Sequence, residues 1–114
     1  MNFHDELKLV MHQYAKLIYK LTKQFPRDEL FGITSQIRWS AISVILNYIE
    51  GFTRRKSDTC KVYRNFLEIS YGSLKESKYL LFFSYEERYI TKEEYESAFC
   101  LADKIGKMLW SLIK

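Results

Sequence analysis

One proline and four glycines in 114 residues leave few places for strands to turn, which disfavours a β-rich fold. Cysteine is as sparse. Cys60 and Cys100 form no CxxC pair and no Cys/His ligand spacing, which argues against a zinc module. No signal peptide is evident, so both are expected as free thiols in a reducing cytoplasm. The only histidines, His4 and His12, stand two helical turns apart, whereas shared metal ligation from one helix needs a spacing of four. The acids at Glu94 and Glu96 have no histidine partner, so the Glu-x-x-His pattern of a di-iron bundle is missing. There is no Gly-rich phosphate loop and no nucleophile with a histidine base nearby. No metal, cofactor or enzymatic role is therefore expected. Charges interrupt every apolar run short of membrane-spanning length, so no membrane association is expected.

Aromatic residues are abundant. Nine Tyr and eight Phe help bring the aromatic share to 17%. A single domain spanning 1–114 has difficulty burying that much ring surface alone. The surplus points to a subunit interface or a stacking surface, and a large aromatic core explains it about as well. The net charge of +4 is mildly basic and compatible with an anionic partner.

Hydrophobic spacing predicts four helices. The first runs from about His4 to Gln24, with a seam of Phe3, Leu7, Val10, Tyr14, Leu17 and Leu21. Acids at its start and lysines near its end suit the helix dipole. Pro26 ends it. The second helix should begin regularly between Gly32 and Ser35 and run to about Glu50, where Gly51 permits an end. Ile37, Ala41, Val44 and Tyr48 form its apolar face, and Ile42, Ile45 and Ile49 widen it. A polar line of Gln36, Ser40, Ser43, Asn47, Glu50 and Arg54 remains. The third helix should start near Ser57 or Asp58 and reach about Phe83, with Ser70, Ser73 and Ser77 along a small polar line. Gly72 in mid-helix implies that another backbone approaches there, the second helix being the expected neighbour. Thr91-Lys-Glu-Glu94 is a capping box opening the fourth helix. Tyr95, Phe99, Ala102, Ile105, Leu109 and Leu112 form its expected core face. Four helices with short connections predict an all-α, antiparallel up-down-up-down bundle. A helix-turn-helix DNA reader is disfavoured, because the helices are long and no short three-helix core separates.

The middle of the chain carries a family signature. Phe25-Pro26, Phe31-Gly32, Thr34-Ser35-Gln36-Ile37-Arg38, Ser43, Asn47, Glu50-Gly51, Arg54-Arg55, Phe66-Leu67 and Gly72-Ser73-Leu74-Lys75-Glu76 stand in order. In these residues the chain resembles the bacterial four-helix-bundle family encoded in intervening sequences of 23S ribosomal RNA genes. It departs from the pattern at Trp39, usually a second basic residue, at Ile45, usually proline, and at Ile49, usually small. The resemblance implies a bundle assembling as a ring-shaped homo-oligomer, a homopentamer. The accessory proteins of diversity-generating retroelements look similar and bind nucleic acid and a reverse transcriptase. RNA binding is thus an expectation for this chain. A protein-interaction scaffold, or an accessory subunit of a reverse transcriptase, is the alternative.

Arg54, Arg55, Lys56, Lys61 and Arg64 are the candidate nucleic-acid-binding residues. They surround a turn and a helix start, where side chains and backbone N–H groups can meet phosphates together. Phe52 and Tyr63 beside them can stack on unpaired bases. The opposing reading is a solvated basic turn offset by Glu50 and Asp58. Arg38, Trp39, Asn47, Glu50, Gly72 and Ser73 are assigned to packing or oligomer contacts. Asn47 and Glu50 are expected to bond within the bundle, or to Arg38 or Arg54 of a neighbour, rather than line a channel. Trp39 and Trp110 are expected to pack in the core or at a subunit interface.

Overall fold

Four helices and no strands make up the computed structural model, which describes all of Met1–Lys114. They are α1 (Phe3–Thr22), α2 (Ser35–Thr53), α3 (Lys61–Glu86) and α4 (Lys92–Ile113). Each packs against its neighbours in sequence, and α1 closes the square against α4. Residue pairings establish antiparallel neighbours. His4 meets Tyr48 while Thr22 meets Arg38 across α1 and α2. Ser43 meets Ser73 while Gly51 meets Phe66 across α2 and α3. Tyr71 meets Trp110 while Tyr85 meets Tyr95 across α3 and α4. At 1.5 Å per residue α3 alone is about 39 Å long, which accounts for most of the 44 Å long axis. No helix is long and apolar enough to cross a membrane.

The core follows the expected seams closely. Leu7, Val10, Met11, Tyr14, Ile18 and Leu21 face inward from α1, and Ile37, Ala41, Val44 and Tyr48 from α2. Leu67, Leu74 and Leu81 answer from α3, and Ala98, Ala102, Ile105 and Leu109 from α4. Two expected seam residues, Phe3 and Phe99, lie at the surface instead. Phe3 is in the first turn of α1, and Phe99 faces the α3 edge of α4, beneath Lys78, while Ala98 takes the inward position. Three α3 serines, Ser70, Ser77 and Ser84, are fully buried. Ser70 Oγ donates across the interface to the Val44 carbonyl at 2.6 Å, and Ser77 Oγ meets the Tyr14 hydroxyl at 2.8 Å. Burial without such bonds would cost each hydroxyl about 1–3 kcal/mol.

Several helix ends differ from expectation for local reasons. Helix α1 stops at Thr22, two residues early, and Pro26 then leads a 3₁₀ turn (Arg27–Glu29) and a π-type turn (Leu30–Thr34). Gly32 breaks the helical path there, with φ −113° and ψ −116°. Helix α2 runs past Gly51 to Thr53, so that glycine does not end it. Helix α3 starts at Lys61, not at Ser57 or Asp58. Both side chains are occupied inside the turn, Asp58 by Arg55 and Ser57 by Thr59. The Thr91–Glu94 capping box opens α4 as expected, with both reciprocal bonds formed.

The α3–α4 connection was less legible. Arg88 takes φ +64°, and Tyr89 N–H reaches the Ser84 carbonyl while Arg88 N–H reaches that of Tyr85. This is a Schellman ending with arginine where glycine is usual. Tyr89 then packs on Phe25 and donates its hydroxyl to Glu29 at 2.8 Å. That bond ties the α1–α2 connection to the α3–α4 turn, and it pushes the Tyr89 phenol up to about 12.

Candidate nucleic-acid interface

Gly51 sets the geometry of the α2 exit. A Cβ there would lie 2.6 Å from Phe66 Cβ, so α2 and α3 meet closely at this point. The approach expected at Gly72 is not there. Gly72 is exposed and nothing lies within 4 Å of where its Cβ would stand. The correction follows from helical phase: Gly72 sits two residues past inward-facing Ser70, on the outer side of α3.

Beyond Gly51 the five basic residues gather around residues 54–64, but three are already engaged. Arg54 pairs with Glu50 at 2.7 Å and lies over the Phe66 ring. Arg64 pairs with Glu68 at 3.4 Å on one face of α3. Arg55 is the most enclosed. It pairs with Asp58 at 3.1 Å, covers Phe52 at 4.3 Å and also reaches over the Tyr63 ring. Lys56 and Lys61 are exposed and have no carboxylate partner. The Arg54 and Arg64 pairs are exposed on both sides and therefore weak, so a phosphate can compete for those two arginines. Tyr63 itself is buried, its hydroxyl without a hydrogen-bond partner, so it cannot stack on a base as expected. Phe52 is half-buried beneath Arg55. Cys60 precedes α3 in the same turn, and a backbone N–H from Tyr63 holds its thiol below the usual range.

His4 completes this cluster, although the sequence offered it only as an unsuitable metal ligand. Its Nδ1 hydrogen-bonds the Tyr48 hydroxyl, and its Nε2 lies 3.4 Å from Arg55. Burial first, and the Arg55 charge second, hold the imidazole below its ordinary range. No sequence signal separated from it by 51 residues could have placed it beside Arg55.

The polar line of α2 faces α3 and joins it. Asn47 donates to the Ser43 carbonyl and hydroxyl, and Ser43 meets Ser73 at 2.8 Å. Glu50 takes no part in that seam, being exposed and paired with Arg54 of its own chain. Arg38 donates to Thr22 Oγ1 at 2.7 Å and stacks on Tyr19, fastening α2 to α1. The side of α2 turned away from the core is apolar and uncovered. Trp39, Leu46 and Ile49 are each roughly half exposed there, at 64%, 48% and 43%, with Ile42 beside them. Neither Trp39 nor Trp110 packs in the core.

A family model described as 23S rRNA-intervening sequence protein matches residues 7–111. Among solved structures, the chain is similar to a protein with unknown function from the S23 ribosomal protein family of Bacteroides thetaiotaomicron VPI-5482. The two are 29% identical, superpose with a TM-score of 0.84, and align over 95% of this chain and 98% of that one. No curated protein matches the sequence.

Proposed function

The chain belongs to the 23S rRNA-intervening sequence protein family, and from that premise we propose that it is a non-enzymatic, self-associating RNA-binding bundle of the cytoplasm. In this reading the outer face of α2 is the subunit contact. Trp39, Ile42, Leu46 and Ile49 form an apolar stripe left open to water, the kind of patch that marks an interaction surface, and copies closing on that face make a ring, as a pentamer. The exit of α2 then repeats around one rim. The observation that carries the reading is the position of Lys56 and Lys61, free of carboxylates, at the end of that apolar stripe. Phosphates would meet these lysines first and draw Arg54 and Arg64 from their exposed partners. Repetition around the rim adds avidity.

Two measurements test it. Light scattering at micromolar concentration should return a multiple of 13.7 kDa, and Trp39→Glu with Leu46→Glu should return the monomer. Binding to a structured RNA hairpin should weaken steeply with salt, because phosphate contacts release counterions. Arg54→Glu with Arg55→Glu should weaken it about tenfold or more and flatten the salt dependence. Unchanged affinity in a variant that still assembles would remove the rim from the account. The same apolar face of α2 also suits a protein partner such as a reverse transcriptase. Co-purification from the native host that returns such a protein, with the chain itself monomeric, favours that reading.

A further inference from the structure

The aromatic surplus is concentrated on the edge where α3 meets α4, away from the α2 exit. Tyr71, Lys75, Lys78 and Phe82 recur along α3 at four-and-three spacing and share that edge. At one end Tyr71 packs on Trp110, with ring centroids 5.7 Å apart. Toward the other, Phe82 and Phe99 flank Tyr95, and Tyr95 stacks on Tyr85 at 4.9 Å and 16°. Trp110, Phe82 and Phe99 all keep ring surface open to solvent. Between the two ring clusters the groove dips into a pocket of about 190 Å³. Gly106 and Leu74 both line it, and a Cβ on Gly106 would stand 3.4 Å from the Leu74 side chain. The pocket is smaller than the roughly 300–1,000 Å³ usual for an enclosed small-molecule site. It is a widening in an open groove.

Three of the four charged residues lining that pocket are lysines. Lys75 rests over the Tyr71 ring at 5.4 Å and Lys78 over Phe99 at 4.7 Å, neither with a carboxylate partner. Lys107 is paired with Asp103 at 3.2 Å, the one carboxylate lining the pocket. Lysine–ring contacts at exposed sites are weak. A flat ligand can therefore take the ring faces while the ammonium groups swing out to its negative charges. Rings and lysines in alternation match a chain of bases on a phosphate backbone. Trp110 and Phe99 are eleven helical residues apart, about 16 Å. At 3.4 Å per stacked base this is room for about five nucleotides.

We propose that the α3–α4 groove binds single-stranded nucleic acid, with unpaired bases stacking on Phe82, Phe99 and Trp110 and phosphates held by Lys75, Lys78 and Lys107. The groove is separate from the basic rim and does not depend on it. The rim meets phosphates alone, whereas the groove also takes base faces, which a duplex keeps stacked on one another.

The test is fluorescence anisotropy of the full chain with a fluorescein-labelled twelve-nucleotide oligouridylate, beside a hairpin RNA. Wild type is expected to bind the single strand, more weakly as salt rises. Lys75→Glu with Lys78→Glu should weaken that binding about tenfold or more, and Phe99→Ala with Trp110→Ala by about fivefold or more. Arg54→Glu with Arg55→Glu should leave it within about twofold while weakening the hairpin. All four side chains of the groove variants are at least partly exposed, and circular dichroism checks that the helices persist. Single-strand binding that is absent, or lost only in the rim variant, overturns the groove and leaves the rim standing. Groove variants that change the particle mass and not the affinity also overturn it, because the groove is then a subunit contact.

Discussion

Where α3 meets α2, every close contact has a small side chain on at least one side, whereas the edge that meets α4 carries rings and lysines. On the first, Gly51, Ser43, Ser70 and Ser73 let the backbones approach and then close the seam with hydrogen bonds. On the second, Tyr71, Phe82, Tyr95 and Trp110 hold the surface open, and a pocket remains beside Gly106. Both edges are built on the same helix with the same repeat. Side-chain volume and reach, more than apolar character, decide which edge is sealed and which stays open.

The sharpest way to break this comparison is to add one methyl group. Gly51→Ala forces a Cβ against Phe66, and overpacking of that kind should cost about 1–3 kcal/mol, read from urea unfolding. Gly72→Ala, on the uncovered side, meets nothing and should gain up to about 1 kcal/mol from helix propensity. Equal responses at the two sites would mean that the seam is not set by close approach. Next in size is Arg88→Gly at the end of α3. It relieves a positive φ and should raise stability by about 0.5–1 kcal/mol, since glycine's freedom in the unfolded chain offsets part of the gain. A loss in the thermal midpoint would show that the arginine side chain contributes more than its backbone strain costs.

The smallest expected effect concerns pH at the α2 exit. His4 has its folded pKa lowered by burial and then by Arg55, with Lys8 acting the same way and Asp58 and Asp5 opposing. Folding therefore favours neutral imidazole. Its contribution is present above the ordinary value of about 6.5 and is lost as pH falls through the lowered folded value. Glu94, held down chiefly by the Thr91 backbone N–H, loses its contribution only further down, in the carboxylate range. Denaturation midpoints at pH 7 and pH 5 should accordingly differ more in the wild type than in His4→Gln. If the two proteins lose stability equally, His4 is not the group responsible.

Much of the bundle was legible in the sequence because the signals are local. The seams of α1 and α2 came from three-and-four spacing, and α4 began where Thr91 and Glu94 cap it. Helix phase is harder to read where two faces are both apolar. Phe99 fits a core stripe as well as Ala98 does, and only the position of α3 separates them. The candidate rim residues already form a cluster in the sequence, since they lie within eleven residues. The pairing of Arg54, Arg55 and Arg64 with Glu50, Asp58 and Glu68 is equally local, at spacings of three or four residues, and the sequence already set Glu50 and Asp58 against the basic turn.

By itself, then, the sequence determined the helices, their order and the inward faces, because helix periodicity and capping are settled within a few residues. Tertiary structure decided which glycine marks a close approach, that His4 stands beside Arg55, and that rings and lysines from two helices line one groove. Those are contacts between residues far apart in the chain. Their distances depend on how thick each facing side chain is, and no periodicity within one helix carries that information.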